Sequence, residues 1–218
     1  MDDTIKAIWG ITIGAMIVVL LIAIFGRGGG SKDLDDGGIQ NWRTFKSAKF
    51  GFEIKYPPSW RVSAYENDLI APKFNFYPAK TSKKPPFDHF SETTNVSVFP
   101  DGIPTEGVFG ETKDDDFEIG VPLERATRFV LEDGKTWAVF AVPKLSLKPE
   151  SWSDAGFIWV RADISGLTTA CSRDGEYIGL AECDPFEGDK IMRQGRVDDQ
   201  EWKLLEQILS TFKFAVET

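Results

Sequence analysis

Residues Ala7 to Phe25, AIWGITIGAMIVVLLIAIF, contain no charged side chain. An α-helix of that length rises about 28 Å, close to the hydrocarbon thickness of a bilayer. The run predicts a transmembrane anchor, with Trp9 near one end where an indole suits the interface. A cleaved signal peptide would have a shorter apolar run and a small-residue cleavage site, and Ile24-Phe25-Gly26-Arg27 fits that poorly. Gly10 and Gly14 form one GxxxG, a pattern frequent in membrane helices without a partner helix. Lys6 precedes the run, while Arg27 and Lys32 follow it, so charge counting leans toward a cytoplasmic domain. The cysteines argue the other way, as set out below.

Residues 27–40 are rich in Gly and Asp and read as a flexible linker. Residues 41–218 then form one β-rich soluble domain, leaving residues 1–26 as the anchor. With 17 Phe and 7 Trp in the chain, this domain has ample material for a packed core. The net charge of −9 opposes a phosphate backbone, so nucleic acid is excluded as a partner class.

From Lys49 to Tyr56 the apolar residues alternate, with Phe50, Phe52, Ile54 and Tyr56 on one side, as in a half-buried strand. Pro57-Pro58 ends it, and Trp60, Val62 and Ala64 resume the alternation. Leu69 to Tyr77 is a further strand, expected at an edge or bulged because it holds Pro72, and Asn95 to Phe99 is another. Thr127 to Glu132 and Thr136 to Val142 flank Asp133-Gly134, a tight-turn signal. The second arm is apolar on both faces and is expected in the middle of a sheet. Phe157 to Ile164 continues the β pattern. Trp202, Leu205, Ile208 and Leu209 share one helical face, with Asp198 or Asp199 as N-cap and Glu201 spaced for a capping box. Phe212, Phe214 and Val216 form a last strand. Residues 78–91 and 166–196 are expected as loops, the second long and acidic.

The runs FGFEIKYPPSW (Phe50 to Trp60) and EQILSTFKF (Glu206 to Phe214) resemble the two ends of PsbP-like domains of bacterial lipoproteins and membrane-anchored proteins. The resemblance implies an α+β fold, an antiparallel sheet flanked by few helices in an α/β/α sandwich. It also implies an extracytoplasmic place. The plant relatives are non-catalytic extrinsic subunits of the oxygen-evolving complex, and most bacterial members have no known function. A lipobox cysteine is missing, and the helix of residues 7–25 takes its place as the membrane attachment.

Chemistry-bearing residues are sparse. His89 stands alone in a proline-rich stretch without a G-x-S-x-G, which reads as a packed or surface histidine rather than a catalytic base. One His and two Cys make a closed zinc site hard to build. Asp114, Asp115 and Asp116, and the set Asp174, Glu176, Glu182, Asp184, Glu187 and Asp189, offer carboxylates for calcium or for hydrolysis. Solvated surface is their ordinary role. Trp152 reads as core rather than as a stacking platform for a ligand. Asn95-Val96-Ser97 matches a glycosylation sequon but lies within a strand.

Cys171 and Cys183 are the only cysteines. An even count in polar surroundings, downstream of an anchor, predicts a disulfide formed in an oxidising compartment. The sequence therefore leads to a single-pass membrane protein with an extracytoplasmic, non-enzymatic domain. It needs no cofactor, metal or catalytic residue, and it engages a protein partner. A membrane-anchored hydrolase or calcium-binding protein using residues 166–196 is the alternative.

Overall fold

The computed structural model describes residues 38–104, 110–114 and 117–215. The predicted anchor, nearly all of the linker, Asp115, Asp116 and Val216 lie outside them. Among the described residues no helix is long and apolar enough to cross a membrane. They form thirteen strands and one α-helix, and every strand pairing is antiparallel. The α+β class follows directly.

The main sheet has seven strands: β3 (Trp60–Tyr65), β4 (Lys73–Pro78), β5 (Asn95–Phe99), β6 (Thr112–Asp114), β7 (Leu123–Val130), β8 (Thr136–Pro143) and β9 (Phe157–Arg161). Their order is β3-β4-β5-β9-β8-β7-β6. Its central strands β5 and β9 are buried along their whole length, because both faces of the sheet are covered there. β8 lies between β9 and β7, the interior place its apolar sequence predicts.

One face is covered by a small sheet, β1 (Arg43–Ser47), β2 (Phe52–Tyr56) and β13 (Lys213–Phe214), together with helix α1 (Asp199–Ser210). The alternation read from the sequence is the cause: Phe50, Phe52, Ile54 and Tyr56 are all buried, and the Phe52 ring meets Phe74 of the main sheet edge-on at 4.9 Å. Phe45 of β1 reaches Phe74 and Phe76, each at 5.5 Å. Leu205, Ile208 and Leu209 of α1 are fully buried in the same core.

The helix begins where the sequence places it. The Asp198 carboxylate accepts from the N–H groups of Gln200 (2.8 Å) and Glu201 (3.1 Å). The reciprocal half of the capping box is absent. The Glu201 side chain bonds Thr94 instead, and burial raises its pKa above the ordinary carboxylate range. Asp198→Ala is expected to cost about 1 kcal/mol, within the range for a lost N-cap. Urea unfolding of the variant against the parent measures it.

The opposite face is covered in part by residues 79–94. The Asn75 side chain holds this segment by both of its atoms, donating to the Phe87 carbonyl (3.0 Å) and accepting from the Phe87 N–H (2.9 Å). Asn75 also donates to Ser97, which donates to Asn95. The Asn95 amide in turn donates to the Thr93 carbonyl. The sequon asparagine is thus fully buried and hydrogen-bonded.

Three local expectations are corrected. The strand sought over Leu69 to Tyr77 runs Lys73–Pro78 and is interior, not an edge. Pro72 precedes it, so its missing N–H costs no ladder bond, and Leu69 and Ile70 project from the preceding turn. The β7–β8 connection is a three-residue loop, with Leu131 paired to Lys135. Only Gly134 takes positive φ (+81°), while the Asp133 carboxylate accepts from the Lys135 N–H. This is a turn closed by a left-handed glycine rather than a two-residue turn. Ala64 is exposed, so the alternation of β3 fades toward its end.

Candidate functional site

Residues 166–196, expected as a loop, belong with Ser165 to a third sheet. It consists of β10 (Ser165–Arg173), β11 (Glu176–Ile178) and β12 (Lys190–Arg196), in the order β11-β10-β12. The turn between β10 and β11 is Asp174-Gly175, both with positive φ (51° and 88°), and Arg173 pairs with Glu176 across it. That is the two-residue geometry in which Asp-Gly is favoured. The strands were hidden because their side chains are half-exposed and lack an apolar face.

Between β11 and β12 the chain makes two short 3-10 turns, Leu180–Glu182 and Pro185–Glu187. Three interactions fix this excursion. Cys171 and Cys183 form a disulfide, with Cα atoms 6.0 Å apart, as the cysteine count predicts. Cys171 is fully buried in β10, so its polar sequence neighbours misstate its surroundings. The Arg173 guanidinium grips both oxygens of buried Asp189 at 2.8 and 2.7 Å, and donates to the Glu182 carbonyl. The Asp184 N–H donates to the same Asp189 carboxylate at 2.8 Å, while the Asp184 carboxylate caps the second turn at Phe186.

Arg173, and secondarily the Asp184 N–H, hold the Asp189 carboxyl down to about 2. A depressed carboxylate contributes stability that is present above the ordinary value near 4 and is lost as pH falls toward its own pKa. The excursion is therefore expected to keep its amide protection from neutral pH to about pH 4 and to lose it between about pH 4 and pH 2. In Asp189→Asn that dependence should vanish, with lower protection throughout, as hydrogen exchange at residues 174–189 would read.

The sheet is fastened to the core through β12. The Glu132 N–H donates to the Arg193 carbonyl (3.0 Å), and the Gln194 amide donates to the Glu132 carboxylate (2.7 Å). The Arg193 guanidinium lies 4.8 Å from the ring centre of buried Trp137, and Arg161 lies 5.0 Å from the same ring. Burial lowers the pKa of both arginines.

On this frame three large apolar side chains face solvent: Tyr177 (71% exposed), Leu180 (54%) and Phe186 (66%). Asp174, Glu176, Glu182, Asp184 and Glu187 are exposed in the same stretch. Beside them a groove of about 850 Å³ runs between Gly110–Thr112 and the third sheet, lined by Ser172, Tyr177, Pro185 and Lys190 among others.

The other residues singled out by sequence lie elsewhere. His89 is buried, its ring 3.8 Å from that of Phe90 and 6.4 Å from that of Trp159. Trp152 is core, its indole N–H donating to the Phe50 carbonyl at 2.8 Å. Asp114 is the last residue of β6. Among the described residues, Cys171, Cys183 and Asp189 bring metal-type donors within 4.8 Å of one another. The disulfide and the Arg173 fork already engage those atoms, so the grouping does not suit a metal ion.

No protein-family model, curated protein or solved structure matches the chain.

Proposed function

We propose that this chain is a membrane-tethered, extracytoplasmic accessory module that engages a protein partner and catalyses no reaction itself. The observation that carries the reading is the excursion over residues 174–189. It displays Tyr177, Leu180 and Phe186 to water on a backbone held by a disulfide and an arginine–carboxylate fork. Exposed aromatic side chains cost solubility, and rigid display of them lowers the entropy lost on association.

Other observations support the reading. The uncharged run over residues 7–25 suits a bilayer. A disulfide suits an oxidising compartment. The two sequence runs that resemble PsbP-like domains are far apart in the chain yet meet in one small sheet. There Phe214 pairs with Phe52, Lys213 with Glu53, and the Phe212 ring stacks on Phe52 at 5.5 Å. We take the fold as a variant of that sandwich in which β1-β2-β13 shares one outer layer with α1.

The test is isolation of the intact chain from its native membrane in mild detergent, with analytical ultracentrifugation of the product. A stoichiometric complex with a second protein is expected, and it should stay with the membrane through an alkaline carbonate wash. A monomer that washes off the membrane would overturn the proposal.

A further inference from the structure

Resting on that reading, we infer that Tyr177, Leu180 and Phe186 form the docking face, and that its occupant is a protein presenting an apolar socket ringed by lysine and arginine. The argument begins with what the backbone restraints do not accomplish. The disulfide, the Arg173–Asp189 fork and the Asp184 cap order a segment whose large apolar side chains Tyr177, Leu180 and Phe186 stay more than half exposed and outside the core. Within the free chain, that ordering brings little core packing in return. It does hold Tyr177, Leu180 and Phe186 on one restrained segment, and a tyrosine such as Tyr177 is among the residue types enriched where binding energy concentrates.

Charge then selects the occupant. Between positions 173 and 190 the chain carries six acidic residues and two basic ones, Arg173 and Lys190. Arg173 is tied to Asp189, so the five exposed carboxylates set the local field. An anionic lipid surface or a nucleic acid would be repelled. A second copy of this chain docking face to face would bring the same carboxylates together, which an isologous contact cannot avoid. A basic rim on a different protein answers both the charge and the apolar centre. The exposed Leu69–Ile70 tip has no comparable field, since Lys73 pairs with Asp68 beside it.

The experiment places the photo-crosslinker p-benzoylphenylalanine at Tyr177 or Phe186 of the full chain in its native membrane, with Leu145 and Leu69 as control positions. All four sites are exposed, so each variant should fold, and an unchanged melting profile verifies it. Illumination at positions 177 and 186 is expected to give a discrete adduct with one other protein, joined at a peptide containing lysine or arginine. The yield should fall about tenfold when salt is raised from roughly 0.05 to 0.5 M, as screened charge pairs require. Combining Phe186→p-benzoylphenylalanine with Glu182→Lys and Glu187→Lys should lower the yield similarly. Adducts to lipid, to a second copy of the chain, or to a protein whose capture ignores salt would overturn the inference. If Leu145 or Leu69 captures a protein and neither 177 nor 186 does, the docking face is wrong while the accessory role stands. If no position captures a protein, both fall.

Discussion

Replacing Phe52 with alanine is expected to lower the stability of the domain by about 3–5 kcal/mol, the range for deleting a fully buried aromatic ring. Phe52 is 1% exposed and touches four other aromatic rings: Phe45 at 5.9 Å, Phe74 at 4.9 Å, Trp152 at 6.1 Å and Phe212 at 5.5 Å. These come from β1, β4, the segment before β9, and the segment after α1, so one truncation loosens four parts of the chain at once. Aromatic pairs add to burial alone, which places the effect in the upper part of the range. Rigid strands on both sides limit collapse into the cavity. Phe52→Leu, which refills most of the space, should cost clearly less. Urea unfolding followed by tryptophan fluorescence compares the two. A loss under about 1 kcal/mol in the alanine variant would contradict a packed core at β2.

Removing the disulfide is the second large effect. Cys171→Ala combined with Cys183→Ala opens a ring closed across twelve positions, worth about 3 kcal/mol in the chain-entropy model. The loss should be local before it is global. The main sheet keeps its seven strands and its own core without the bond, whereas the excursion between β11 and β12 retains only the Arg173–Asp189 fork and its turns. Amide protection at residues 174–189 should therefore drop strongly, while protection in β5 and β9 changes little. Equal protection in both regions of variant and parent would mean that the bond does not hold the display together.

The strands with one clean apolar face were legible in the sequence because burial on one side writes itself as period two: β2 is the clearest case, and β5 and β8 follow as short apolar runs. The helix was legible through its cap and its 202/205/209 face. The third sheet was not, since residues such as Thr168, Thr169 and Gln194 pair across β10 and β12 without burying an apolar stripe. One signal there could have been used. Asp174-Gly175 is the same dipeptide as Asp133-Gly134, and it forms the tighter turn of the two.

The candidate site divides in the same way. The cysteine pair could be read from number and setting alone. The fork could not, because Arg173 and Asp189 lie sixteen positions apart and meet only through the return of β12 alongside β10. Tyr177, Leu180 and Phe186 follow no helical or strand period, so nothing in their spacing marks them as one surface. The acidic residues stood out in sequence as possible ligands. In the structure Asp189 is an internal strut, while Asp174, Glu176, Glu182, Asp184 and Glu187 are exposed around it.

The proposed function requires the domain to lie in an oxidising compartment with residues 174–189 locked by the Cys171–Cys183 disulfide. The direct measurement is the thiol state of the intact chain taken from its native membrane, quenched in acid, alkylated under denaturing conditions without reductant, and weighed by mass spectrometry. The account predicts no alkylated cysteine until a reductant is added, and two afterwards. Two alkylated cysteines without reductant would contradict it, removing both the lock on residues 174–189 and the main support for an extracytoplasmic domain.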